Sequence, residues 1–341
     1  MLNWSVNVWS WVVPVTPQSG VRSCDLVMVL LFIIAAKVFL KPVPKIKAPL
    51  MNGYFMQILT WTGITLIGLA ATYAAASAIG AALWQTTTGD LVAELDAGRI
   101  APAVSRYHEA ELATLPAPVQ RYFRAVLTDG QPIVTAVSLT QSGLFNMSAT
   151  ANQWKPFTAT QNFATARPGF VWNAKIMLFP GFPVRVVDAF IAGEGLLRPT
   201  IMGLYSIGTL QGSGEIARGE LLRHFAESVW FPTALLPSQG VVWQAVDDTS
   251  AQATMTDGPI SVTMLFRFGT DDLITSIYVK ERATKVGDAT VLMPWEGRLS
   301  NYQTRDGMRV PLTSEALYIT SQGEKPYFKG TIDTLAYEFA P

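Results

Sequence analysis

The hydrophobic positions of this chain follow one rule near its start and another beyond its first third. Across residues 48–89 no side chain carries a charge, and MQILTWTGITLIGLAATYAAASAIGAALW (residues 56–84) is almost unbroken apolar sequence. About 20 such residues, rising 1.5 Å each, cross the ~30 Å of bilayer hydrocarbon as a helix. The pattern predicts a transmembrane helix over 56–84, with Trp61 and Trp84 near its ends, where interfacial aromatics belong. An earlier run, LVMVLLFIIAAKVFL (residues 26–40), is shorter and holds Lys37, whose stem can snorkel to the headgroups. It reads as a second span or as an interfacial helix, unless Met51 or Met56 is the true start.

Between residues 89 and 130 the period is helical. Asp90 can cap one short helix, and Pro116 and Pro118 open another. That second helix carries Val119, Tyr122, Phe123 and Val126 on one face and Arg121 and Arg124 on the other, with Gly130 beyond its end. From Ile133 the period becomes two. VWNAKIML sets Trp172, Ala174, Ile176 and Leu178 against Asn173 and Lys175, and SVTMLFRFG sets Val262, Met264, Phe266 and Phe268 against Ser261, Thr263 and Arg267. Such runs recur about every 10–15 residues between turn signals such as ARPGF, FPGFP, TDGP and GTDD. About a dozen strands in this style predict one large antiparallel sheet, curved and half-barrel-like.

One helical patch interrupts the strands, ARGELLRHFAESVWF (residues 217–231). Leu221, Leu222, Phe225 and Val229 share a stripe that can cover the open side of the sheet, while Glu220, Arg223, His224 and Glu227 face elsewhere. Pro232 limits the helix and Pro237 marks the turn back to a strand. The fold class is therefore α+β. A membrane anchor occupies 1–88 (helices at about 26–40 and 56–84), a helical linker 89–130, and a curved antiparallel β domain 131–341, with its helix at 217–231.

Composition sharpens this picture. Half of the residues are hydrophobic and 15% are charged, too apolar for an ordinary soluble chain and too charged for a polytopic membrane protein. Lys plus Arg and Asp plus Glu both number 25, so no basic excess recommends nucleic acid as a partner. Lys37, Lys41, Lys45 and Lys47 lie between the two apolar runs without an acidic partner. Positive loops stay cytoplasmic, which sends the later domain to the periplasmic or extracellular side of the cell membrane. A cleaved signal peptide is the rival, because ASAIG (residues 76–80) offers small residues at cleavage-like spacing. Cys24 stands alone, so no intrachain disulfide forms.

Few residues announce chemistry. His108 and His224 are the two histidines and belong to no spaced ligand cluster, so neither metal nor cofactor is expected, and GxSxG, HExxH and Walker A are absent. GSGEIA (residues 212–217) matches a loose glycine fingerprint but sits in hairpin-like surroundings. Glu220 with His224, and Arg223 with Glu227, are i, i+4 pairs that read as surface ion pairs. Alternatively Arg223 and Glu227 turn under the sheet and meet Asp247 or Asp248 in a buried polar cluster, which would mark a site. Trp154, Trp172, Phe225, Trp230, Phe231 and Trp243 serve equally as core or as the lining of an apolar cavity, with FAESVWFPTALLPS as its lid.

The motifs LPAPVQRYFR, FVWNAKI, VVDAFIAGEG, FAESVWFPTALLPS, VWQAVDDTSAQAT, PWEGRLSNY and DGMRVP, spread over residues 115–337, resemble a family of uncharacterised bacterial proteins described as a domain of unknown function. No activity comes with that resemblance. More loosely, WEGRLSNYQTRDGMRVPLTSEA is similar to envelope lipoprotein-carrier folds, which implies a curved half-barrel closed by helices around a lipid. Three readings stand together. The first is a membrane-anchored envelope protein holding an apolar or lipid-like ligand through Trp172, Arg223, Phe225, Glu227, Trp230, Phe231, Trp243 and Asp247. The second is an assembly or scaffolding protein without a small ligand, and the third a hydrolase using His224 and a carboxylate.

Overall fold

The structure, a computed structural model, describes residues 51–148, 151–286 and 289–341. The apolar run at 26–40 and the lysines at 37–47 lie outside them. Met51–Ala97 is one helix, α1. Its segment to Ile79 falls in one compact unit and Gly80–Pro341 in another. The apolar segment is hydrophobic all round: Phe55, Ile58, Leu59, Trp61, Ile64, Leu66, Ile67 and Leu69 are all exposed. Its hydroxyls are turned inward, with Thr60, Thr65 and Thr72 donating to the carbonyls of Met56, Trp61 and Gly68 at 2.8, 2.8 and 2.9 Å. Helix α1 is long and apolar enough to cross a membrane. Asp90 does not begin a new helix, because α1 runs through it to Ala97 and Thr88 bonds back to the Trp84 carbonyl at 2.9 Å.

In the second unit Pro116 caps helix α2 (Ala117–Val126), which buries Val119, Tyr122, Phe123 and Val126. Its outer face pairs Arg121 with Asp272 at 2.8 Å and Arg124 with Glu109 at 2.6 Å. Fourteen strands follow: β1 (Val134–Asn146), β2 (Trp154–Ala164), β3 (Gly169–Phe179), β4 (Phe182–Ile191), β5 (Glu194–Ile201), β6 (Tyr205–Ser206), β7 (Leu210–Gly212), β8 (Val242–Asp247), β9 (Ser250–Asp257), β10 (Ile260–Phe268), β11 (Ile274–Val286), β12 (Ala289–Arg305), β13 (Met308–Thr320) and β14 (Gly323–Phe339). They form one sheet in the order β6-β5-β4-β3-β2-β1-β14-β13-β12-β11-β10-β9-β8, with β7 joined to β5. The β1–β14 pairing ties the two ends of the domain together, and the sheet stays open between β6 and β8.

Alternation explains most of the strands. On β10, Val262, Met264, Phe266 and Phe268 are buried, as period two requires. On β3 both faces are covered where the last turns of α1 pack on the sheet, with Trp84 and Leu95 against Val171, Val187 and Ala189. The Trp84 indole donates to Asn173 at 2.7 Å, so the polar face expected for Asn173 is partly roofed. The approach is close enough to require glycine, since a Cβ on Gly80 would lie 2.2 Å from the Met202 carbonyl.

Helix α3 (Glu215–Glu227) lies against the other face of the sheet. It ends earlier than the helix expected over 217–231 and gives way to three 3-10 turns at Ser228–Trp230, Pro232–Leu235 and Pro237–Gln239. Proline excludes the preceding residue from helical backbone, and Phe231 accordingly sits at φ −142°, ψ 69°. These turns are core: Val229, Phe231, Leu235 and Leu236 are fully buried.

Candidate functional site

A cavity of about 880 Å³ opens between α3 and the sheet. Its wall on β12 and β13 includes Trp295, Gly297 and Leu299 beside Ser314, Ala316 and Tyr318, with Arg298 and Glu315 at its rim. The register pairs Trp295 with Tyr318. Gly297 has to be small, because a Cβ there would meet the Trp295 ring at 2.9 Å; the indole lies across the bare backbone instead. Trp295 then donates to the Tyr327 hydroxyl at 2.9 Å, and Tyr327 stacks on Tyr318 at 5.4 Å. Opposite walls come from Trp172 and Ile176 on β3, Val186 and Asp188 on β4, Leu197 on β5, and from Gly219, Glu220, Arg223, Ala226 and Glu227 of α3.

A charged chain crosses this lining. Arg223 bonds Asp188 at 2.5 Å and Glu227 at 2.9 Å. Gln161 donates to Glu227 at 2.7 Å and accepts from Gln141 at 3.0 Å. The guanidinium lies over Trp172 and Phe170, 4.8 and 5.0 Å from the ring centres. Burial alone would lower the Arg223 pKa, but Glu227, Asp188 and Glu220 outweigh it and hold the group above the ordinary arginine value. Burial raises Glu227, with Arg223 and Gln161 opposing it. Glu220 is pushed well above the usual carboxylate range, first by burial and then by the Asp188 charge. Its proton can bridge to Asp188.

Arg282 completes the set from β11. Between Val279 and Arg282 the β11–β12 register slips: three steps along β11 match two along β12, from Trp295 to Met293. This bulge shifts the alternation, so that Ile277 lines the cavity before it and Arg282, Ala283 and Thr284 border it after. Glu281, which unbroken alternation would turn inward, is exposed. Arg282 rests on the Trp295 ring at 4.9 Å. Burial lowers its pKa, yet Tyr327, Tyr318 and Glu220 together hold it above the ordinary value.

Of the residues singled out from the sequence, Trp172, Arg223, Glu227 and Trp230 line this cavity. Phe225 and Phe231 are wholly buried away from it, Phe225 against Phe266 at 5.5 Å and Phe231 against Phe163 at 4.9 Å. Trp243 packs on the same Phe266 at 5.0 Å and donates to the Leu235 carbonyl. Asp247 is exposed in the β8–β9 turn, where it accepts from the Thr249 backbone at 2.8 Å. The partner that Arg223 finds is Asp188, and Asp247 and Asp248 take no part in the cluster. His224 faces the core, between the Phe163 and Phe231 rings at 5.9 Å each, and no carboxylate among the described residues bonds it. Burial, opposed by the Gly169 backbone, takes its pKa down to about 3. No group of three or more His, Cys, Asp or Glu among the described residues is arranged to hold a metal.

Asp188, Glu220 and Arg282 were not singled out as site residues. A signal existed for the first, a lone charge inside the apolar run VVDAFI, where strand burial leaves an acid only if it is paired. Arg282 gave none, since its inward aim depends on the bulge.

The family of unknown function DUF6920 matches residues 113–337, and the chain belongs to it. Among curated proteins none matches. A LolA superfamily protein from Nitrosomonas europaea is similar in structure at 8% identity and TM-score 0.35, over 66% of this chain and 93% of that one. A beta-barrel-like protein of domain of unknown function DUF1849 from Brucella abortus aligns at 13% identity and TM-score 0.17, over 62% and 99% of the two chains.

Proposed function

We propose that this DUF6920 member is a membrane-anchored envelope protein that holds an apolar, lipid-like ligand in the cavity between α3 and the sheet. The observation that carries the reading is the cavity itself. Its volume of about 880 Å³ falls within the ~300–1,000 Å³ of small-molecule sites, and its lining joins aromatic side chains to polar and charged ones. A filled core would favour the scaffolding reading, but here Trp172, Trp295, Tyr318, Tyr327 and Phe328 border open space. The hydrolase reading loses the histidine it relied on, because His224 is sealed among phenylalanines away from that space. Helix α1 supplies the anchor, and the lysines at 37–47 favour a cytoplasmic start with the β domain across the membrane.

Gly219 provides the test. It lines the cavity, and a Cβ there meets nothing within 4 Å. Gly219→Leu puts a side chain into the space and removes a helix-interior glycine, worth about 1 kcal/mol in favour of folding. The variant is expected to melt no lower than wild type while retaining less co-purified lipid in native mass spectrometry of the full chain. Equal retention by a well-folded variant would remove the cavity from the function.

A further inference from the structure

Of the three arginines that line the cavity, Arg282 alone makes no ion pair among the described residues, and that points to the ligand. Arg223 is fully engaged, with Asp188 and Glu227 as its counter-ions. Arg282 has no carboxylate within ion-pair distance among the described residues; it lies on the Trp295 ring, with Tyr327, Tyr318 and Glu220 near enough to raise its pKa. A guanidinium in such a place is costly without an anion, since an aromatic face offsets only part of the lost hydration. The backbone nevertheless goes out of its way to put it there. The β11 bulge turns Arg282 inward and leaves the neighbouring Glu281 outside.

We propose that the ligand is an amphiphile with an acidic head group, a carboxylate or a phosphate, which Arg282 receives on the floor formed by Trp295 while the aromatic lining takes the apolar tail. This rests on the lipid-binding reading above and narrows it to a charge class. The planar guanidinium offers paired N–H donors that match either acid. Stacking on Trp295, itself fixed by Tyr327 at 2.9 Å, holds that fork in place before the ligand arrives. Glu220 forms no ion pair with Arg282, and burial and the Asp188 charge favour its neutral form against the opposing pull of Arg223 and Arg282.

The experiment compares matched amphiphiles on the full chain in neutral detergent, scored by native mass spectrometry. Palmitate is set against hexadecanol, and phosphatidic acid against diacylglycerol, with inorganic phosphate alone as a further arm. Wild type, Arg282→Met and Arg282→Lys are measured side by side. At least one acid is expected to bind well above its neutral counterpart. Its affinity should fall roughly ten- to a hundredfold in Arg282→Met, as for loss of a charge-assisted bond, and recover in part in Arg282→Lys. Binding of palmitate alone assigns a carboxylate head, and of phosphatidic acid alone a phosphate. Equal binding of acids and neutral counterparts, or no change in Arg282→Met, overturns the proposal and leaves the lipid reading standing. Retention of none of the four amphiphiles overturns that reading, and an Arg282-dependent response to inorganic phosphate alone overturns the amphiphile. Thermal melting serves as the folding control. Removing a charge without a counter-ion should leave the ligand-free Arg282→Met protein at least as stable as wild type. If that variant does not fold, the acid–neutral comparison in wild type still decides.

Discussion

At the scale of single residues, the Arg223 side chain is the centre of the polar chain that links α3 to β4 and β2. Arg223→Met leaves the Asp188 and Glu227 carboxylates facing each other in a buried place, which should cost about 3–5 kcal/mol. Glu227, raised by burial, then loses the Arg223 charge that opposed that rise and takes up a proton more readily, so the deficit relative to wild type should shrink between about pH 7.5 and about pH 5 in urea titrations. A constant deficit would mean that the loss is one of packing alone. His224 makes the opposite demand. Its pKa is near 3 in the folded chain against 6.5 for the free side chain. As pH falls from 6.5 towards 3 the unfolded chain gains a proton that the folded chain refuses, so the stability supplied at neutral pH is lost across that window. His224→Phe removes the titration, and its unfolding free energy should decline less steeply over the same window. An unchanged slope would assign the acid sensitivity to other groups.

At the scale of elements, the legible parts of the sequence were those whose burial is periodic and local. The stripe Leu221, Leu222, Phe225 of α3 is buried as its spacing requires, and β10 alternates as read. What the sequence hid depends on pairing across the sheet. Arg223 and Asp188 are 35 positions apart, and nothing in either local pattern joins them. Glu220, Arg223 and Glu227 of α3 line the cavity while His224 turns to the core, and the helical spacing alone does not separate surface ion pairs from such a buried cluster. A bulge at Val279–Arg282 is likewise a property of two strands and not of one. The docking of α1 onto the turn after β5 was also silent in the sequence, because an alanine- and glycine-rich end looks the same in lipid and against protein. It is testable at Gly80, where an added side chain meets the Met202 carbonyl. Gly80→Val should cost about 1–3 kcal/mol as an overpacked contact, read by thermal melting of the detergent-solubilised chain. A neutral result would show that this end of α1 is not held on the sheet.

At the scale of the molecule, an apolar helix and a β domain with an internal cavity share one chain. The proposed arrangement places the β domain across the membrane from the lysines at 37–47. A reporter active only outside the cytoplasm, fused after Pro341, should be active, and activity of a cytoplasmic reporter at the same position would reverse the orientation. The openness of the sheet has a consequence for what the cavity can hold. A closed barrel is a hoop, whose circumference is set by strand number and stagger, and widening it means tearing a seam. Here the ladder simply stops at β6 on one side and at β8 on the other. Those two margins can part or draw together while every strand keeps its neighbour. The girth of the space is then set by how α3 and its side chains lie against the sheet, and not by a closed ring of backbone. On the proposed function, one scaffold can thus be refitted to tails of unequal bulk without any strand changing its register.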